Sequence, residues 1–154
     1  MDCSFVFDES VFSERLQELM FEKDLNQSEL AEKIGVKSST ISRYLSGQKI
    51  PEVEILVRLA DYFNCTVDFL IGRSETFPQG AKYLKCPKFS QQLEKIILNS
   101  KKSKYRIQKD TEIPKTVMYY WQTGKYQPSI DNIIKLANYF ENTVDYIIGR
   151  IEFD

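Results

Sequence analysis

The side chains best placed to do chemistry in this 154-residue sequence are hydrogen-bonding ones, gathered in "SSTISRYLS", Ser38–Ser46. At helical spacing Thr40, Ile41 and Tyr44 share one side, and Ser38, Ser39, Ser42, Arg43 and Ser46 share the other. A guanidinium is a planar fork of donors that can hold two acceptors together, and short hydroxyls beside it admit a close approach. Such a row suits recognition, not bond-making. Catalytic chemistry lacks its parts. The chain has no histidine, and Cys3, Cys65 and Cys86 are scattered with no Cys-x-x-Cys pair, so neither imidazole acid–base work nor a zinc finger is expected. No Gly-rich phosphate loop occurs, and Glu29 and Glu32 have no pocket residues around them. The expectation is no enzyme activity, no cofactor and no metal.

The hydrophobic share of 42% and charged share of 28% are those of a soluble globular protein. No run approaches the ~18 apolar residues that cross a bilayer. The opening "MDCSFVFDES" has no basic stretch, so neither membrane span nor signal peptide is expected. An odd, scattered set of cysteines suits a reducing cytoplasm. The net charge of −1 hides an asymmetry: residues 1–73 carry 8 basic and 13 acidic side chains, while residues 89–154 carry 10 and 8. An acidic first half does not describe a non-specific polyanion binder. Any nucleic-acid reading must rest on where the charges lie.

Those residues are positioned by a repeat. Sliding the chain by 77 aligns Phe12–Arg73 with Phe89–Arg150 without a gap, giving 15 identities in 62 positions. "LADYFNCTVDFLIGR" (59–73) pairs with "LANYFENTVDYIIGR" (136–150). Two copies are too few for a solenoid, so each should be its own domain: 1–73 and 83–154, joined by a linker "SETFPQGAK" at 74–82.

One copy reads as five helices. Ser10 can cap the first, with Val11, Phe12, Leu16, Leu19 and Met20 inward. The second covers Gln27–Ile34 and stops at a left-handed Gly35. The third starts at Ser38 and ends before Gly47. The fourth follows Pro51, and Pro128 does the same in copy two, as proline tolerates a helix start. The fifth opens at Thr66, with Cys65 and Leu70 placed to staple it. Nothing alternates with period two, so the fold class is all-α.

Two helices joined by a short Gly-containing turn form a helix-turn-helix. "LNQSELAEKIGVKSSTISRYLSGQKIP" resembles the phage-repressor/Cro-like (XRE) helix-turn-helix family: Gln27, Ala31, Gly35, Ile41, Tyr44, Gly47 and Pro51 occupy the family's marked places. The resemblance implies two tandem five-helix, lambda-repressor-like domains, and a sequence-specific regulator of transcription, most simply a repressor, that binds double-stranded DNA. In the family the outward row of the third helix faces the major groove, which makes Ser38, Ser39, Ser42 and Arg43 base contacts. Arg43 can take guanine O6 and N7 together. Gln27, with the helix start beside it, grips phosphate, and Lys37, Ser46 and Lys49 lie along the same backbone.

Copy two keeps the scaffold and changes the reading head. Val117, Met118 and Trp121 replace the inward set, so the one tryptophan is a core residue. Lys115, Thr116, Tyr119, Tyr120 and Thr123 now face outward, the first four as base contacts, with Lys104 and Lys125 as phosphate contacts. Lys101, Lys102, Lys104 and Arg106 make the start of its second helix basic. Gln108 replaces Ala31 and Glu112 replaces Gly35, so the turn is strained by roughly 1 kcal/mol or repacked. Tyr119 and Tyr120 fit three roles: base contacts, a protein contact, or bare surface. The alternative is therefore that copy one binds DNA and copy two is a protein-interaction or dimerisation module. Residues 74–88 could stretch to ~50 Å, enough for both heads to meet one duplex at an asymmetric site. Pairing of two chains as a homodimer would make the site longer; the sequence leaves this open.

Overall fold

The computed structural model describes residues 4–152; Cys3 lies outside them. Among the described residues there are ten α-helices and no strand. The chain divides into two compact units, Val6–Lys82 and the part from Tyr83 on, with which Phe5 is grouped.

The first unit holds α1 (Glu9–Glu22), α2 (Gln27–Ile34), α3 (Ser38–Leu45), α4 (Val53–Phe63) and α5 (Val67–Leu70). α1 starts earlier than the sequence suggests. Asp8, not Ser10, is the N-cap: its carboxylate accepts from Ser10 N at 2.9 Å and from Ser10 Oγ at 2.7 Å. These bonds to the Ser10 side chain and backbone hold the Asp8 carboxyl below its usual range. Asn26 and Glu29 close a capping box on α2, and Gly35 ends it at φ 76. Arg58 of α4 donates to Ile34 O at 3.2 Å, satisfying a carbonyl that the end of α2 leaves over. Phe12, Leu16, Leu30, Ile41, Leu56, Leu59 and Leu70 are fully buried, and Tyr44 meets Phe12 edge-on at 5.9 Å. Ser13 Oγ donates to Leu45 O, tying α1 to the end of α3.

The second unit holds α6 (Phe89–Ser100), α7 (Lys104–Thr111), α8 (Lys115–Thr123), α9 (Ile130–Tyr139) and α10 (Val144–Ile148). Adding 77 to the first residue of α2, α3, α4 and α5 gives the first residue of α7, α8, α9 and α10. Individual bonds follow the same register. Arg15 Nη1 donates to Phe69 O at 2.7 Å, and Gln92 Nε2, 77 residues on, donates to Tyr146 O at 2.9 Å. Arg73 pairs with Asp68 at 2.7 Å, and Arg150 pairs with Asp145. Trp121, 2% exposed, meets Phe89 edge-on at 5.9 Å as a core residue.

Two differences from the sequence reading, and the repacking that it allows for at Gln108, have physical causes. Pro51 and Pro128 do not open helices; Glu52 and Ser129 are the N-caps, and each proline is buried just before its cap. α2 packs closely on α3, whereas α7 and α8 stay farther apart. Gln108, reaching Met118 Sδ at 3.5 Å, fills the space that Ala31 leaves open. The connector is shorter than its composition implies. Arg15 holds Ser74 O at 3.1 Å and Glu75 at 3.1 Å, and Phe77 packs on Phe69 at 4.7 Å. Beyond it, Leu84 N donates to Arg150 O at 2.8 Å and Arg150 stacks on the Tyr83 ring at 4.0 Å. Only Pro78–Lys82 is left as tether, spanning ~20 Å extended instead of ~50 Å.

Candidate nucleic-acid interface

In the first unit the outward row of α3 is open. Ser38, Ser39, Ser42, Arg43 and Ser46 are exposed, while Ile41 and Tyr44 on the other side are 0% and 2% exposed. The apolar pair fixes the helix in rotation, so the polar row has one direction to face. Arg43 forms no ion pair with a described residue. Its fork of donors is available to a ligand. Ser46, the C-cap of α3, donates to Arg43 O at 3.2 Å, so its hydroxyl has an internal partner. Lys37 and Lys49 flank the helix and are exposed, as is Gln27, the first residue of α2. The capping box occupies Glu29 N and Asn26 N, leaving the Gln27 and Ser28 N–H groups at the positive end of α2.

In the second unit Lys115, Thr116 and Lys104 are exposed, Lys104 as the first residue of α7 behind the Ser103 cap. Tyr119 is 59% exposed, but Tyr120 is only half-exposed. Tyr120 lies against Tyr126 at 5.1 Å, and Lys125 sits over both rings at 4.7 and 5.6 Å. Lys125 is thus part of an aromatic cluster, not a loose cation. The basic start of α7 is also partly spent. Arg106 pairs with Asp110 at 3.5 Å, and Tyr139 OH donates to Asp110 at 2.6 Å. Lys102 donates to Tyr139 at 3.3 Å and covers its ring at 4.3 Å. Desolvation, with the Asp110 contact, raises the Tyr139 hydroxyl above its ordinary value, which keeps it a donor.

Two exposed aromatics escape the sequence reading. Tyr126, 56% exposed, occupies the place of Lys49 in the repeat, a register signal that could have found it. Tyr105, 71% exposed, stands beside Lys104 on α7, and no spacing rule singles it out. Glu112 keeps the left-handed turn at φ 60 although it is not glycine. Among the described residues no group of histidine, cysteine or acidic side chains could hold a metal ion. No described helix is long and apolar enough to cross a membrane.

The open polar row on α3, the close α2–α3 pair and the Gly35 turn define a helix-turn-helix. Residues 16–70 match the helix-turn-helix family profile. Curated relatives are similar to less than half of this chain. The cryptic phage CTXphi transcriptional repressor RstR of Vibrio cholerae is 36% identical over 66 residues, which is 43% of this chain and 60% of RstR. The HTH-type transcriptional regulator AnsR of Bacillus subtilis is 39% identical over 69 residues, 43% of this chain and 60% of AnsR. The HTH-type transcriptional activator BcrR of Enterococcus faecalis is 38% identical over 64 residues, 42% of this chain and 31% of BcrR. The chain therefore spans less than two thirds of the length of these relatives.

Proposed function

We propose that the chain is a cytoplasmic, sequence-specific regulator of transcription that binds double-stranded DNA and reads the major groove with α3. The observation that carries this reading is the uncovered row Ser38, Ser39, Ser42 and Arg43, held outward by buried Ile41 and Tyr44. An eight-residue helix is ~12 Å long, close to the ~12 Å width of the major groove. Arg43 takes two acceptors of a guanine edge, and the serines let the helix seat without bulk. Gln27, Lys37, Ser46 and Lys49 contact phosphate and set the register. The work needs binding alone, not catalysis. Repression is the sign preferred here because RstR is named a repressor, although BcrR is named an activator.

The second unit is proposed as a diverged helix-turn-helix head, making the chain a tandem pair of five-helix domains. The shared helix register and the matched ion pairs support the common scaffold. Lys115, Thr116, Tyr119 and Tyr120 would meet base edges and thymine methyls, with Lys104 and Lys125 on phosphate. A second reading, a protein-interaction role for this unit, is favoured by one observation: Tyr120, Tyr126 and Lys125 are already packed together. Selection of bound sequences from random duplexes, run on the intact chain and on Arg43→Ala, tests the assignment. The expected result is relaxed preference at one base position, a loss of ~1–3 kcal/mol of discrimination. An unchanged profile refutes Arg43 as reader. A site in which Tyr119→Ala changes a second block of positions supports two heads; no such change supports the protein-contact role.

A further inference from the structure

We propose that the outer surface of the second unit stacks unpaired bases, so that it binds a single strand of nucleic acid. This rests on the nucleic-acid reading of that unit and adds a ligand to it. Residues 101–126 carry 7 basic and 2 acidic side chains, whereas the matching residues 24–49 of the first repeat carry 4 and 3. The same stretch gains aromatic rings. Tyr119, Tyr120 and Tyr126 stand where the first unit has Ser42, Arg43 and Lys49, and none of the three is buried. Positive charge and rings rise together. An unpaired strand asks for that combination: cations for its phosphates and flat faces for its bases.

The rings form one connected platform. Tyr119 lies 6.2 Å from Tyr120, and Tyr120 meets Tyr126 edge-on at 5.1 Å. The backbone fixes the arrangement: Lys125 N donates to Tyr120 O at 2.9 Å and Tyr126 N to the same oxygen at 3.4 Å, across the left-handed Gly124. Rings already held in place lose little freedom when a base stacks on them. Tyr119 and Tyr126 are each more than half exposed, so ring surface is open on both, while Tyr120 braces them. Lys125 lies over Tyr120 and Tyr126, and Lys115 stands one helical turn before Tyr119. Neither lysine has a carboxylate partner among the described residues, so both charges are left for phosphate. The same two lysines speak against a protein partner, because the core of a protein interface is depleted of lysine. A tyrosine also has more to give the face of a base than its edge, to which it presents a single hydroxyl.

Fluorescence anisotropy of a labelled oligothymidylate, titrated with the full chain at low salt, tests this; the homopolymer cannot pair with itself. An oligouridylate run beside it separates DNA from RNA as the source of the strand, and the tighter of the two names it. The expected result is saturable binding that weakens as salt rises. Tyr119→Ala and Tyr126→Ala should each weaken it about fivefold or more, while Tyr119→Phe and Tyr126→Phe keep it, because stacking needs the ring and not the hydroxyl. An abasic strand of equal length, which keeps the phosphates alone, should bind more weakly still. Circular dichroism and Trp121 emission check that each variant keeps its fold. Binding of neither homopolymer overturns the proposal, as does binding that the alanine variants or the loss of the bases leaves unchanged. If the homopolymers fail while Tyr119→Ala still alters a second block of duplex positions, the duplex reading of this unit survives alone. If that block is missing as well, both nucleic-acid readings of the unit fall.

Discussion

Asp68 and Asp145 stand at the same position of the two repeats and allow one unit to be unfolded at a time. Each carboxylate accepts from a buried guanidinium: the Arg73–Asp68 side chains are 2% and 5% exposed, the Arg150–Asp145 side chains 0% and 1%. Asp68→Ala leaves the Arg73 charge where water does not reach. Removing one partner of such a pair costs about 3–5 kcal/mol. The bonds from Arg73 N at 2.8 Å and Ser74 N at 3.1 Å go to the Asp68 carbonyl, which the substitution leaves in place. A unit of this size has about 5 kcal/mol to lose. With a urea slope near 1–1.5 kcal/mol/M, its midpoint should fall by roughly 2–5 M, or the unit should be unfolded without denaturant. Trp121 tells the units apart, because it is the only tryptophan and is buried in the second. Its fluorescence follows that unit, while far-UV circular dichroism follows both. Asp145→Ala should move the tryptophan transition by the full amount. Asp68→Ala should move part of the dichroism signal and leave the tryptophan transition in place. If Asp68→Ala moved the tryptophan transition as far, the two cores would unfold as one body, and the reasoning from one pair in each unit would fail. A null result for both would show that the buried pairs do not carry the energy assigned to them.

Three further predictions follow from single residues. Lys104→Ala should weaken DNA binding about evenly across sequences and lower the salt slope by ~1 in a titration at several salt concentrations; a changed base preference counts against a phosphate role. Glu112→Gly should raise the tryptophan-reported stability of the second unit by up to ~1 kcal/mol, because φ 60 penalises a side chain there; destabilisation would show that the Glu112 side chain makes a contact of its own. Desolvation, and then the Glu52 charge, raise the Tyr44 hydroxyl above its ordinary value near 10. Its neutral form is therefore favoured in the fold: that stability is whole below pH ~10 and is lost as pH rises through the raised value. Tyr44→Phe should flatten the alkaline fall of the first unit in denaturant titrations by dichroism, and an unchanged fall would assign it to other groups.

The helix plan was legible because each boundary has a local chemical cause. Gly35 can take the left-handed turn, Thr66 can cap, and the row Ile41–Tyr44 has a helical period; all three act within a few residues of themselves. Ser10 was the wrong cap because two candidates two residues apart compete, and Asp8 wins with a charged acceptor for both the Ser10 N–H and its hydroxyl. The polar row on α3 was legible too, since its direction follows from its buried opposite side. What was not legible depends on partners far along the chain. Arg15 reaches Phe69 O and Ser74 O, 54 and 59 residues away, and so removes the start of the connector from the free tether. Tyr139, 37 residues from Lys102 and 29 from Asp110, takes Lys102 out of the basic cluster that the sequence shows at α7, where Arg106 is paired locally with Asp110.

These ties bear on how the two units differ. At the start of α2 the capping box draws Glu29 back over Asn26, so a carboxylate stays close to the N–H groups proposed to hold phosphate. Gln27 is neutral, so the proposed grip there would rest on dipoles and hydrogen bonds, with the reading left to Arg43. At the start of α7 the third position is Arg106 in place of Glu29, Ser103 caps with its hydroxyl alone, and Lys104 brings a full charge. α8 in turn offers no guanidinium, only a threonine, a lysine, the exposed Tyr119 and a Tyr120 held by Lys125 and Tyr126. On the proposed reading, the first unit has weak phosphate attraction and one strong base reader, and the second unit has the reverse. A substitution that puts arginine at Tyr119, exposed at the place Ser42 takes in the first unit, should give the second head a base preference that it lacks. The gain should appear as a second block of selected positions beyond the one set by Arg43. If the selected site stays confined to that single block, the outer face of α8 does not lie in a groove.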